Sequence, residues 1–131
     1  MNRQPKRLLL AGDTHGNSSW VSELCRLAET NECDAILQLG DFGYWPHTEW
    51  GQQFLAQASI DSKKAGLSGL YFIDGNHENH DALADIRSEH PEGMPAVADN
   101  VYWIPRGHRW TWHDTNSVSY THLTLPTICS V

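Results

Sequence analysis

The sequence predicts an α/β fold, one mostly parallel sheet with flanking helices. Three apolar runs carry that prediction: Arg7-Leu8-Leu9-Leu10-Ala11, Ala35-Ile36-Leu37-Gln38-Leu39 and Leu70-Tyr71-Phe72-Ile73. Each is short and nearly continuous, as a strand buried on both faces should be. The stretches between them repeat at a helical period, and strands alternating with helices imply parallel neighbours joined by crossovers. A short polar segment follows each run, at the sheet edge where open α/β folds bind their ligands.

Taken in order, the first run is a strand that Asp13 ends. Asn17 to Thr30 then places Trp20, Val21, Leu24, Leu27 and Ala28 on one helical face, with Ser18 or Ser19 as cap. The second strand ends at Leu39. A loop through Pro46 leads to a helix over Thr48 to Ala65, with Trp50, Phe54, Leu55 and Ala58 inward and Gly66 at its C-terminal end. After the third strand, a shorter helix runs from His80 to Glu89, burying Leu83, Ile86 and Ala84, and Pro91 closes it. Asn100 to Ile104 reads as a fourth strand, and Arg109 to His113 as the start of a return strand. Ser117 to Val131 contains no Asp, Glu, Lys or Arg and departs from the preceding pattern. The expected division is therefore 1–116 as the N-terminal portion of a domain and 117–131 as a non-native or disordered tail.

The 131 residues suit about one domain. A composition 40% hydrophobic and 19% charged is that of a globular chain. The formal net charge of −7 argues against a general binder of phosphate backbones, which carries a basic stripe. It leaves room for a phosphorylated substrate, because bound cations reverse the field of an acidic site. Cys25, Cys33 and Cys129 form no zinc-finger spacing, and the odd count points to reduced thiols. Asp13 interrupts the first apolar run too early for a secretion signal of about 7–15 apolar residues. No stretch approaches the roughly 18 apolar residues of a membrane span. A cytoplasmic protein without a membrane partner is expected.

The chemistry lies in Asp13-Thr14-His15-Gly16, Gly40-Asp41-Phe42-Gly43 and Gly75-Asn76-His77-Glu78. A carboxylate, an imidazole and a carboxamide converging at one sheet edge suit borderline divalent metals such as Mn, Fe or Zn. Each part alone is weak: Asp13 can cap the next helix, and Gly-Asp is common in turns. Asn76 beside His77 is harder to explain by turn chemistry. His47, His80 and His108 lie near these loops and read more simply as solvated side chains. Arg106 reaches either a phosphate or an ordinary ion pair. Tyr44 and Trp45 shape a cleft or pack in the core. Glu78 is placed to hydrogen-bond behind the site.

The three segments, in this order and spacing, resemble the first three motifs of the calcineurin-like metallophosphoesterases over Leu8 to about Trp112. The resemblance implies a partial αββα sandwich and metal-dependent hydrolysis of a phosphomonoester or phosphodiester. It implies two divalent metal ions (Mn, Fe or Zn) that share a hydroxide as nucleophile. Asp13 and His15 would be ligands of the first metal, Asp41 the bridging carboxylate, Asn76 a ligand of the second. His77 would be the catalytic residue near the scissile phosphate. The Gly-His-x-His segment of the family is missing, since Gly107-His108-Arg109-Trp110 lacks the second His. Tyr44 stands where many members carry an Asp. The metals would thus be incompletely liganded in this chain. The implied partner is a phosphorylated substrate, with nucleic acid entering only in that role. The competing readings are a non-catalytic scaffold on the same fold and an inactive fragment.

Overall fold

The computed structural model describes residues 4–75, 78–113, 115–118 and 127–130. In chain order the elements are β1 (Arg7–Ala11), α1 (Ser18–Thr30), β2 (Ala35–Leu39), α2 (Glu49–Lys64), β3 (Gly69–Ile73), α3 (His80–Glu89), β4 (Ala96–Ala98), β5 (Val101–Ile104), β6 (Arg109–Trp112), β7 (Thr115–Val118) and β8 (Thr127–Ser130). The main sheet runs β4-β5-β3-β2-β1-β8. Its centre is parallel: Leu9 pairs with Ile36, Leu37 with Tyr71, and Phe72 with Trp103. The edge strands β4 and β8 run antiparallel to β5 and β1. A separate antiparallel ribbon joins β6 and β7. The boundary expected between residues 116 and 117 falls inside β7.

The period-two alternation of each strand sorts its side chains between two cores. Leu9, Ala11, Ile36, Leu70, Phe72, Val101 and Trp103 face the helices, where Val21, Leu24 and Cys25 of α1, Phe54, Leu55 and Ala58 of α2, and Leu83 of α3 meet them. Leu8, Ala35, Leu37, Tyr71, Ile73 and Ile104 face the other way, where Trp112 of the ribbon covers part of the layer. Tyr71 stacks on Tyr102 with ring centroids 5.1 Å apart and meets the edge of Trp112 at the same separation.

Several expected details change. Asn17, rather than Ser18 or Ser19, caps α1, accepting from the Trp20 amide at 3.2 Å. Trp20, Leu27 and Trp50 are exposed, because the apolar stripes are narrower than predicted and Cys25 takes a core position in α1. In α3 the buried alanine is Ala82, two residues before the expected Ala84, which lies on the exposed face. β4 is a strand the sequence did not suggest; three residues after Pro95 are too short to show a period.

Candidate metal centre

Parallel register brings the ends of β1, β2 and β3 to one edge, and the loops leaving them are zipped together. Loop one donates three backbone hydrogen bonds to loop two: Asp13 N–H to Gly40 O (3.1 Å), His15 N–H to Asp41 O (2.8 Å) and Gly16 N–H to Phe42 O (2.9 Å). The buried Thr14 hydroxyl donates to Phe42 O at 2.7 Å. Gln38, also buried, closes a ring on Gly40, donating from Nε2 to its carbonyl (2.6 Å) and accepting from its amide (3.1 Å). A slip of either loop would strand these groups away from water.

The zipper needs unusual backbone. Asp13, His15 and Asp41 all have positive φ, at 57°, 48° and 50°. Such conformations cost a non-glycine residue on the order of 1–3 kcal/mol each, and they cluster where function requires them. Gly43, at φ 106°, is required for a further reason: a Cβ there would lie 2.1 Å from the Gly16 amide nitrogen.

The result is convergence. One ligand atom each from Asp13, His15 and Asp41 lies within 4.8 Å of the others. His15 Nε2 is 3.7 Å from Asp13 Oδ1, both side chains are about half exposed, and Asp41 is buried at 7%. Two carboxylates and one imidazole form a donor set suited to a borderline divalent cation. Held in strained loops at one point, these three side chains fit the metal the sequence implied.

Asn76 and His77 lie outside the described residues, but the loop that bears them is placed on both sides. A Cβ on Gly75 would be 2.4 Å from the Asp41 amide nitrogen, so the third loop passes directly against the second. Glu78 fastens the two together. Its carboxylate, 3% exposed, accepts from Gly75 N–H (2.6 Å), Gly43 N–H (2.7 Å) and Tyr44 N–H (3.4 Å). Burial raises its pKa, while the three amides and then the Asp41 charge act in opposite directions upon it. Phe42 anchors the second loop from below, fully buried between Phe72 (centroids 4.5 Å) and Phe54 (4.9 Å). Tyr44 is a core residue stacked on Phe72.

Asp74 escaped the sequence reading. It is 3% exposed; Oδ1 accepts from Trp103 Nε1 at 3.1 Å and Oδ2 pairs with Arg106 Nε at 2.7 Å. His80 Nδ1 stands 3.7 Å from the same Oδ2. The only local signal was a carboxylate at the end of a buried strand.

The model of the calcineurin-like phosphoesterase family matches residues 6–124. Among solved structures, a conserved uncharacterized protein from Streptococcus pneumoniae TIGR4, described as a predicted phosphoesterase, is 12% identical with a TM-score of 0.32. The match covers 98% of this chain and 99% of that one, and it is too distant to carry an argument. No curated protein matches the chain.

Proposed function

We propose, from the premise that this chain belongs to the calcineurin-like phosphoesterase family, that it is a metal-dependent hydrolase of a phosphomonoester or phosphodiester. The supporting observation is the convergence of Asp13, His15 and Asp41 within 4.8 Å, on backbone that is strained at all three positions. Asp13 and His15 would hold a first divalent cation, and Asp41, shared between the two ions, would hold a second together with Asn76. A cation pair bound there supplies Lewis acidity toward phosphoryl oxygens and a nucleophile at neutral pH. The protein's part is to fix the donors. The zipper of loop-to-loop hydrogen bonds holds Asp13 and His15 against Asp41, and Glu78 holds the third loop in register. His77 follows Asn76 on that loop and serves as proton donor to the leaving oxygen or stabiliser of its charge.

Among the described residues no helix is long and apolar enough to cross a membrane. The proposed partner is a phosphorylated substrate, and the proposed setting the cytoplasm. The test is hydrolysis of p-nitrophenyl phosphate and bis(p-nitrophenyl) phosphate by the chain loaded with Mn²⁺. Activity should vanish with chelator and in Asp41→Asn. Equal rates in Asp41→Asn and the parent would refute the assignment and favour the scaffold reading.

A further inference from the structure

We propose that Arg106, Arg87 and His80 form a subsite for a second phosphate on the substrate, beside the metal-ligating loops; the assignment builds on the phosphoesterase reading above. Asp74 directly follows β3, Arg106 follows β5 by two residues, and α3 carries His80 in its first turn and Arg87 in its last. β3 and β5 are parallel neighbours. Asp74, Arg106 and His80 therefore gather at the sheet edge that also carries Asp13, His15 and Asp41, and Asp74 adjoins Gly75, which touches Asp41; Arg87, two turns further along α3, joins them in lining one cavity.

These groups line a cavity of about 260 Å³, with Leu83 and Trp103 among its walls. Asp74 orients Arg106: both of its oxygens are engaged, one by the Trp103 indole and one by Arg106 Nε, and its side chain is 4% exposed. Arg106 itself remains 52% exposed, so a buried carboxylate fixes a guanidinium that still faces solvent. Two guanidiniums against one carboxylate leave one net positive charge in this concavity, on a chain whose formal charge is −7. A planar guanidinium presents paired N–H donors that match the oxygens of a phosphate. The substrate class is thus a phosphoester carrying a second phosphate, with the scissile group at Asp13, His15 and Asp41 and the other at Arg106.

The test is titration of the metal-free full chain with inorganic pyrophosphate, read by calorimetry and by the indole N–H resonance of Trp103, assigned with Trp103→Phe. Saturable binding with a shift of that resonance is expected. Arg87→Ala, which leaves the Asp74 pair untouched, should weaken binding about tenfold or more, as loss of one charge-assisted hydrogen bond implies. Arg106→Lys keeps a cation opposite Asp74 and should also weaken it. Unchanged affinity in both variants, or no saturable binding by the parent, would overturn the subsite. Because the titration is metal-free, it is independent of catalysis. A chain that binds pyrophosphate and hydrolyses no ester supports the subsite while refuting the hydrolase assignment; one that hydrolyses without binding does the reverse.

Discussion

Glu78 joins two loops with one carboxylate, and its removal isolates the consequences of that junction. Glu78→Ala leaves the amides of Gly43, Gly75 and Tyr44 buried without their acceptor. It should destabilise the chain by about 3 kcal/mol in chemical denaturation, with Glu78→Gln milder because one acceptor oxygen survives. A change below about 0.5 kcal/mol for Glu78→Ala would mean that the junction is not structural. The Asp-x-His pair and the Gly-Asp turn were legible in the sequence because their chemistry is local. Asp74 was not. Its partners, Trp103 and Arg106, lie some thirty residues further along, and no spacing rule announces that a carboxylate will turn inward to meet them.

At the scale of elements, β1, β2 and β3 were readable as continuous apolar runs because each is buried on both faces, between the two cores. Helix faces were read less well, since α1 and α2 each lie against the sheet on one side and leave Trp20, Leu27 and Trp50 to solvent. Asn17 took the cap because it directly follows the loop whose Thr14 carbonyl it bonds through its own amide. Asn17→Ala should cost about 1 kcal/mol, measured as a fall in denaturation midpoint. The second loop depends on its anchor more than on its cap. Phe42→Ala empties a site packed by Phe54 and Phe72 and should cost about 3–5 kcal/mol. It should also lower metal affinity, because Asp41 is its neighbour. Retained affinity in a folded Phe42→Ala chain would show that the loop is held from above alone.

For the molecule as a whole, stability should fall in alkali. Burial, followed by the Asp61 charge, pushes the Cys25 thiol from 9.0 to about 12. Burial, followed by Tyr102, pushes the Tyr71 phenol from 10.0 to about 12. Both groups keep their protons longer in the folded state than in the unfolded one. Their contribution is therefore complete below about pH 9 and is lost as pH rises toward 12. A thermal midpoint that declines from pH 9 to pH 11, less steeply in Cys25→Ala, is expected; a flat profile would contradict it. The overall architecture was legible because alternating strands and helices admit few arrangements. The convergence of three loops at one edge followed from the parallel register, whereas the positive φ of Asp13, His15 and Asp41 that completes it has no signature in the sequence.

Mn²⁺ titration of the metal-stripped chain by calorimetry, beside His15→Ala and Asp41→Asn, bears most directly on the site. Saturable binding by the parent, weakened about tenfold or more in each variant as loss of a metal ligand implies, is the predicted result. A parent chain that binds Mn²⁺ no better than either folded variant would contradict the account.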